Sequence, residues 1–369
     1  MLKKFLIATV LAAGLIAFFL IFAKIQKDNS PFKLSKSLDT KGREETHSQK
    51  IQILASNLEV PWALAYLPNG ELLLTERPGR LKLIKKGQTL TVALINDVNA
   101  IGEGGLLGIA AHPDFNKNGF IFVYYTYENQ NEKTLNRVVR FKFDGQNLKD
   151  QLIVVDAIPG ASNHNGGRLK FGPDGYLYIT TGDAQNPSLA QDVNSVAGKI
   201  LRVTEDGRAA PGNPFNNLVY SYGHRNPQGL AWDEKGRLFE SEHGSSATDE
   251  LNLIEKGKNY GWPHLRGDQQ QSGFVSPLIN SGQETWAPSG LAYFKGSLFF
   301  AGLRGKALFA AKLNGQVTVK KHLEDQYGRL REVVVGPDNL LYITTSNRDG
   351  RGQAAFDDDK IIVVDPKNL

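Results

Sequence analysis

Five short polar segments each lie directly before an apolar run, and they carry the residue types best suited to chemistry. The segments are IGEGGLLG (101–108), SNHNGGRL (162–169), YGHRNPQGL (222–230), TWAPSGL (285–291) and YGRLREVV (327–334). Histidine can remove a proton from a hydroxyl, guanidinium groups match carboxylates, and tryptophan stacks on flat rings. If these segments meet in space, they predict a site for a flat, polyanionic ligand beside a base.

His164 is the candidate base in these segments, and Arg225, Arg329 and Arg331 are candidate anion ligands. A single histidine or arginine is more often a structural hydrogen-bonding or salt-bridge partner than a functional group. Here, however, polar segments occur at equivalent places before five apolar runs. That repetition favours one shared binding site over five separate structural roles.

A second group of chemically capable residues lies in FESEHGSSATDELNLIEKGKNYGWP (239–263). The carboxylates of Glu242, Asp249 and Glu250, together with accessible carbonyl groups, are suitable ligands for a hard cation. The segment does not follow the EF-hand pattern. Its spacing alone therefore leaves open whether it binds a metal ion.

A repeated phrase indicates which elements position these segments. A turn rich in Pro, Gly, Asp or Asn, followed by an alternating strand, occurs six times. The copies are LPNGELLLT (67–75), HPDFNKNGFIFVYYT (112–126), GPDGYLYITT (172–181), DEKGRLFES (233–241), FKGSLFFAG (294–302) and GPDNLLYITT (336–345). Apolar strands precede several copies, and another short strand follows each one. The sequence therefore predicts an all-β, six-bladed β-propeller over 49–369, since a sandwich or jelly roll would not repeat one unit six times.

The predicted propeller explains how distant segments could form one site. The innermost strand of each blade lines a central channel, so the loops that enter those strands converge at one mouth. Composition supports the same fold class, because 38 glycines and 16 prolines fit many short strands joined by tight turns.

Composition also excludes several kinds of function. The formal net charge is only +5, and lysines and arginines are interspersed with acids, which favours a solvated mixed surface over nucleic-acid binding. The chain contains no cysteine. Disulfides, thiolate metal sites and a cysteine nucleophile are therefore excluded.

The N-terminal segment predicts a location outside the cytoplasmic membrane. An apolar run from Phe5 to Ala23 follows Lys3 and Lys4, and as a helix it would be about 28 Å long, close to the hydrocarbon thickness of a bilayer. Residues 1–25 are predicted to be an uncleaved anchor, with a cleaved signal peptide as the alternative. Residues 26–48 are polar, lack periodicity and read as a flexible linker.

Several stretches resemble the soluble quinoprotein sugar dehydrogenases, the glucose/sorbosone dehydrogenase family that includes the soluble aldose sugar dehydrogenases. The matching stretches are VPWALAYLPNGELLLTERPGRL (60–81), GEGGLLGIAAHPDF (102–115), HNGGRLKFGPDGYLYITTGD (164–183), YSYGHRNPQGLAWD (220–233), DELNLIEKGKNYGWP (249–263) and LREVVVGPDNLLYITT (330–345). The resemblance covers roughly 52–366. It implies a six-bladed propeller that binds pyrroloquinoline quinone (PQQ) at the channel mouth with the help of calcium.

The resemblance also implies roles for individual residues. His164 matches the catalytic base, which takes the proton of the sugar C1 hydroxyl while hydride passes to the quinone. The residues that match PQQ contacts or lie near their expected positions are Arg225, Asn226, Arg304, Arg329, Arg331 and Trp286. Arg225 and Glu103 are also predicted to assist His164 at the catalytic centre.

Four further residues are predicted to bind metal. The carbonyl of Gly244 resembles a ligand of the PQQ-bound calcium, and Ser245 follows it in the same loop. Glu250 and Tyr260 resemble part of a second, structural calcium site.

Three positions depart from the family pattern. Glu103 replaces a glutamine common in the family, Asn163 replaces an aspartate of the glucose enzymes, and Ser245 replaces a proline. The extra carboxylate of Glu103 lies near the base, where it could act on His164 or bind metal. These departures concern substrate preference and affinity more than the fold.

The sequence therefore predicts PQQ-dependent oxidation of an aldose to its lactone, with electrons passed to an external acceptor. One alternative is a non-catalytic, extracytoplasmic propeller that binds a sugar or a protein. Another is a calcium-dependent lactonase, which would need acids and asparagines at the channel centre, where this chain has mostly arginines. The identity of the sugar and the oligomeric state are not predicted.

Overall fold

The computed structural model describes residues 51–369, and they form six four-stranded antiparallel sheets arranged as propeller blades. The strands are β1 (Gln52–Ala55), β2 (Pro61–Tyr66), β3 (Leu72–Glu76), β4 (Arg80–Lys85), β5 (Gln88–Leu94), β6 (Leu106–Ala111), β7 (Phe120–Glu128), β8 (Thr134–Phe143), β9 (Leu148–Pro159), β10 (Leu169–Phe171), β11 (Leu177–Thr181), β12 (Lys199–Val203), β13 (Val219–Tyr222), β14 (Pro227–Trp232), β15 (Leu238–Glu242), β16 (Glu250–Ile254), β17 (Ile279–Asn280), β18 (Pro288–Phe294), β19 (Ser297–Gly302), β20 (Leu308–Lys312), β21 (Thr318–His322), β22 (Leu330–Val335), β23 (Leu341–Thr345) and β24 (Ile361–Val364). The described part also contains one short helix, α1 (Phe115–Asn118), and two 3₁₀ helices (Pro187–Ala190 and Pro366–Asn368). The predicted all-β, six-bladed propeller is confirmed.

Five blades follow the chain order from the channel outward, and the sixth is completed from the other end of the propeller. Its strand order is β22-β23-β24-β1. The outer strand β1 pairs with β24, with Gln52 opposite Val363 and Ile53 opposite Ile362. Pairing of the first strand with the last closes the ring of blades.

The innermost strands β2, β6, β10, β14, β18 and β22 surround the central channel. All six line one cavity of about 420 Å³. Because the inner strands of a propeller run in the same direction along the channel, the segments that precede them meet at one mouth. This arrangement positions the five polar segments of the sequence together.

The repeated turns depend on left-handed backbone. The turn residues Gly70, Gly119, Gly175, Gly236, Gly296 and Asn339 have φ between 63° and 83°. Glycine adopts this conformation without a steric penalty, and asparagine tolerates it better than most residues. In five blades this residue belongs to a short turn between the first two strands, whereas Gly119 caps helix α1 in the longer connection of the second blade.

The core lies between neighbouring blades rather than around one centre. One buried apolar cluster joins the first three blades and includes Leu81, Tyr124 and Leu177. Another joins the last two blades through Phe299 and Leu341. Burial of each large apolar side chain contributes about 1.5–3 kcal/mol, so blade-to-blade packing holds the mouth loops on a rigid ring.

The predicted N-terminal segments, 1–25 and 26–48, lie outside the described residues, and both predictions stay predictions. Within residues 51–369, we find no helix of sufficient length and apolarity to span a membrane.

Candidate active site at the channel mouth

The segment that carries His164 crosses the channel mouth before β10 and is fixed by the backbone of the next hairpin. The carbonyl of His164 accepts a hydrogen bond from the N–H of Ala184 (3.1 Å), and Gly167 N–H donates to the carbonyl of Thr180 (2.8 Å). His164 has φ of 62°, a strained conformation that often occurs at functional sites. A Cβ at Gly182 would lie 1.9 Å from the His164 carbonyl oxygen, so only glycine allows this close approach.

The imidazole of His164 is oriented by a buried carboxylate. Its Nδ1 lies 2.7 Å from Oδ1 of Asp183, whose side chain is fully buried. Asp183 also accepts hydrogen bonds from the indole Nε1–H of Trp262 (2.8 Å) and from the N–H of Gln185 (2.9 Å). Because the carboxylate acts as an acceptor, the imidazole hydrogen belongs on Nδ1 and Nε2 keeps a lone pair. The His164 side chain is 18% exposed, so it is accessible from the mouth.

Glu103 lies beside the base and is tied to the opposite side of the mouth. Its Oε2 accepts a hydrogen bond from the N–H of His164 (3.2 Å), and its Oε1 pairs with Arg351 (2.6 Å). Arg351 also donates to Oδ1 of Asn163 (2.8 Å). Burial alone would raise the pKa of Glu103, but the charges of His243 and Arg351 and these hydrogen bonds hold it at about 2. Two of the three departures from the family pattern are thus joined by one guanidinium group.

Arg225 and Asn226 enter the mouth from the segment before β14. Nη1 of Arg225 donates to the carbonyl of Gly244 (2.6 Å), and its guanidinium carbon lies 5.3 Å from the ring centre of Trp262. Oδ1 of Asn226 accepts a hydrogen bond from the N–H of Gly166 (3.0 Å). Nε of Arg225 and Nδ2 of Asn226 are buried without a hydrogen-bond partner. Both residues therefore keep a donor available for a ligand.

Arg329 and Arg331 both lie beside Asp349, but the carboxylate of Asp349 compensates the charge of Arg329 better than that of Arg331. Arg329 donates to Oδ2 of Asp349 through Nε (3.0 Å) and Nη2 (2.8 Å). Arg331 is only 5% exposed and reaches Oε1 of Gln228 at 3.2 Å and the same Asp349 oxygen at 3.8 Å. Burial lowers the pKa of Arg331 to about 9. Arg331 is a buried cation with incomplete compensation, which an anionic ligand would stabilise.

The predicted metal residues are brought together. A cavity of about 20 Å³ is lined by Gly244, Ser245, Glu250 and Tyr260, together with Arg225, Glu242 and Trp262. This volume suffices for one ion or one water molecule. The Gly244 carbonyl already accepts a hydrogen bond from Arg225, although a carbonyl oxygen has a second lone pair. Metal binding by these four residues stays a prediction.

Two further predicted cofactor contacts, Trp286 and Arg304, come from blade five. The ring of Trp286 is buried and packs against Phe300 and Phe309, with ring centres 5.3 and 5.6 Å away. Arg304 is exposed and lines a groove of about 850 Å³ together with Arg329. Neither side chain contacts His164, and their assignment to the cofactor stays a prediction.

Several residues of the site were not identified from the sequence. They are Asp183, His243, Trp262, Asp349 and Arg351. For two of these residues the sequence does contain a signal. Asp183 is a lone acid directly after the repeated strand in YITTGD (178–183), and Trp262 belongs to the quoted NYGWP run.

The fold and the site define a class of protein, a six-bladed propeller with a histidine–aspartate pair and several arginines at its channel mouth. The chain matches the model of the family described as "Glucose / Sorbosone dehydrogenase" over residues 58–356. The chain therefore belongs to the glucose/sorbosone dehydrogenase family.

Individual relatives are similar over most of the propeller. The aldose sugar dehydrogenase YliI of Escherichia coli is 34% identical over 86% of this chain and 93% of that protein. The quinoprotein glucose dehydrogenase B of Acinetobacter calcoaceticus is 34% identical over 66% of this chain and 58% of that protein. The PQQ-bound structure of the aldose sugar dehydrogenase from Streptomyces coelicolor has 43% identity and a TM-score of 0.81, covering 85% of this chain and 97% of that chain.

Proposed function

We propose that this protein is a PQQ-dependent sugar dehydrogenase. It oxidises the C1 hydroxyl of aldoses to lactones, with His164 as general base and with hydride passing from sugar C1 to PQQ. The observation that carries the proposal is the 2.7 Å pair of His164 and Asp183 at a mouth rich in arginines. Relatives named as aldose sugar or quinoprotein glucose dehydrogenases support it.

The residues at the mouth fit PQQ, which is flat and carries three carboxyl groups. Buried donors without a partner include Nε of Arg77, Nε of Arg225 and Nδ2 of Asn226. Each unpaired buried donor costs about 1–3 kcal/mol. Carboxylate and carbonyl oxygens of a bound ligand would satisfy these donors.

His164 performs the proton transfer in this proposal. Its Nε2 accepts the proton of the C1 hydroxyl, while bound PQQ would supply the two-electron acceptor that an external acceptor later reoxidises. Asp183 keeps the hydrogen of His164 on Nδ1 and stabilises the imidazolium after the transfer. Trp262 fixes the carboxylate of Asp183 from the other side.

The arginines supply binding and charge stabilisation. Arg225 and Arg331 are largely buried and incompletely paired, so their charges act in a region of low dielectric constant, where they are strongest. They bind the carboxylates and stabilise negative charge that develops during the reaction.

Calcium is a further part of the proposal. The cavity at Gly244 and Ser245 contains oxygen ligands and the carboxylates of Glu242 and Glu250, which suit a hard cation. An ion held there would act as a Lewis acid next to Arg225.

The test is a titration of the full chain with PQQ, with and without calcium, followed by dye reduction with a panel of aldoses. His164→Ala should retain saturable PQQ binding and lose about 10²–10⁴-fold in sugar-dependent reduction. His322→Ala, on the outer strand β21, is the matched control and should behave as the wild type.

Two results would contradict different parts of the proposal. An active His164→Ala variant would refute the base assignment. Failure of the wild type to bind PQQ even with calcium would refute the enzyme, and would favour a propeller that binds a sugar or protein without turnover.

A further inference from the structure

The channel cavity of about 420 Å³ lies at the end of the channel away from the mouth. It is lined by the last residues of the six inner strands, for example 64–66 of β2 and 230–232 of β14, whereas the mouth segments precede these strands. Its volume falls within the range of about 300–1,000 Å³ that is usual for small-molecule pockets. We call it the far cavity and treat it as a candidate binding site separate from the mouth.

The walls of the far cavity are apolar, with aromatic residues from four blades. Tyr66, Phe171, Trp232 and Tyr293 all line it, and each is half-buried. Aromatic residues of this kind offer flat apolar surface to the body of an organic ligand.

Three charged residues, Arg168, Lys170 and Glu332, also line the far cavity. Nη1 of Arg168 pairs with Oε2 of Glu332, and Nε of Arg168 donates to the carbonyl of Gln228 (2.8 Å). Oε1 of Glu332 accepts a hydrogen bond from the N–H of Val333 (2.9 Å). Two cations thus share one carboxylate, which leaves one positive charge in excess.

Both cations keep hydrogen-bond donors without a partner. Arg168 is only 5% exposed, its guanidinium carbon lies 4.3 Å from the ring centre of Trp62, and its Nη2 is buried without a hydrogen bond. Nζ of Lys170 donates to the carbonyl of Leu230 (3.2 Å), and an ammonium group carries three hydrogens. Within residues 51–369, Lys170 forms no salt bridge shorter than 4.0 Å.

The excess charge at Lys170 is only partly compensated. Burial lowers the pKa of Lys170 to about 8, and the charge of Arg168 acts in the same direction, although Glu332 opposes both. A buried cation without full compensation is costly, and a bound anion would stabilise it.

We propose that the far cavity binds a small organic monoanion, a monocarboxylate with an apolar body. One carboxylate supplies the single negative charge that is missing, and its two oxygens can accept from Arg168 and Lys170. The apolar body would lie against the aromatic walls. A bare inorganic anion could match the charge but would leave these walls unfilled.

This site is distinct from the proposed PQQ site. A ligand with three carboxylates would bring two uncompensated negative charges into the far cavity. The proposal uses neither His164 nor the arginines of the mouth, so it stands whether or not the protein binds PQQ.

The test is calorimetric titration of the full chain with benzoate and with hexanoate at about pH 6.5, where Lys170 is protonated. Both should bind saturably at one site per chain, and the neutral benzyl alcohol should bind at least about tenfold more weakly. Lys170→Met keeps the apolar stem and removes the charge, so it should weaken benzoate binding about 10–100-fold. Lys320→Met, which changes an exposed lysine of β21, should match the wild type.

Two further variants keep the result decisive. If Lys170→Met folds poorly, Lys170→Gln removes the same charge while its amide can still donate to the Leu230 carbonyl, and the same loss is expected. Arg225→Gln, at the mouth, should bind benzoate as the wild type does. The proposal would be overturned if neither carboxylate binds saturably, if benzyl alcohol binds as tightly as benzoate, or if Arg225→Gln loses binding while the Lys170 variants retain it.

Discussion

Glu103 is a carboxylate whose charge is set by groups from three other parts of the chain, at His164, His243 and Arg351. Arg351 pairs with its side chain, and the backbone of His164 donates to it. Its environment favours the ionised form, because the pKa is held at about 2 against an ordinary value of 4.5. The ionised form therefore binds these partners more strongly than the protonated form does.

The lowered pKa of Glu103 predicts a pH-dependent contribution to stability. The folded-state pKa lies below the unfolded value, so the stabilisation is complete above pH 4.5 and disappears as the pH falls towards 2. We expect the wild type to exceed Glu103→Gln by about 2–3 kcal/mol in free energy of unfolding at neutral pH, and by little near pH 2. Denaturant unfolding between pH 2 and 7 measures the difference.

A matched control separates this effect from general acid destabilisation. Glu132 is exposed in a turn, so Glu132→Gln should follow the wild type at every pH. A constant gap between Glu103→Gln and the wild type across the range would contradict the pKa assignment.

Single-residue reasoning predicts His164 as the base but does not predict the group that orients it. His164 was found because it lies before an inner strand, a position visible in the sequence. Asp183 acts on it only because the hairpin of β10 and β11 folds back, which places residues 19 apart in contact. The contact between the loop before β10 and the loop after β11 depends on how the hairpin folds. The hydrophobic periodicity of the sequence does not predict that contact.

At the scale of the element, the His164 segment depends on one close backbone approach. The chain at Gly182 passes so near the His164 carbonyl that an added Cβ would lie 1.9 Å from the oxygen. Gly175, in the turn of the same hairpin, has φ of 79° but no atom within 4 Å of an added Cβ. The two glycines are therefore needed for different reasons. Gly182 allows two backbone segments to approach closely, and Gly175 adopts a left-handed backbone conformation.

This contrast predicts different effects for the same substitution. Gly182→Ala should displace the His164 segment, reduce sugar oxidation by about tenfold or more and destabilise the fold by about 1–3 kcal/mol. Gly175→Ala should cost about 1 kcal/mol through its left-handed backbone and leave activity unchanged. Activity at saturating PQQ, measured beside thermal unfolding, distinguishes the two. Equal activity in both variants would show that the approach at Gly182 does not position His164.

The buried strands were predictable from the sequence, and the exposed strands were not. The inner three strands of each blade alternate or are continuously apolar, and the sequence predicts them. The fourth strands were missed because they are exposed or short, such as β21 with TVKKH and the two-residue β17. An outer strand needs neither a buried face nor a long ladder, so its sequence resembles a loop.

At the scale of the whole molecule, the propeller prediction explains why most of the candidate site converges. Arg225, Asn226 and Glu103 all contact the His164 segment or its hairpin. Trp286 precedes β18 in blade five and packs against Phe300 and Phe309, whereas Arg304 lies between β19 and β20 and lines a groove with Arg329. Blade order predicts which loops share the mouth, whereas the direction of each side chain depends on local packing.

The ring itself is held shut by β1, which pairs with β24 across the two ends of the described chain. No covalent bond crosses this seam, because the chain contains no cysteine. A propeller cannot lose one blade without exposing the apolar faces of both neighbours. Separation of β1 from β24 is therefore the step by which we expect the ring to open.

A disulfide across the seam should stabilise the whole molecule. Gln52 and Val363 face each other in the antiparallel pair, where Cα separations of about 4.5–5.5 Å suit a disulfide, and no native thiol can compete. The double variant Gln52→Cys/Val363→Cys should be about 2–4 kcal/mol more stable oxidised than reduced, as measured by denaturant unfolding. Gln52→Cys alone should show no such difference. If the cross-linked protein unfolds at the same denaturant concentration as its reduced form, the ring does not open first between β1 and β24, and this seam is not its weakest point.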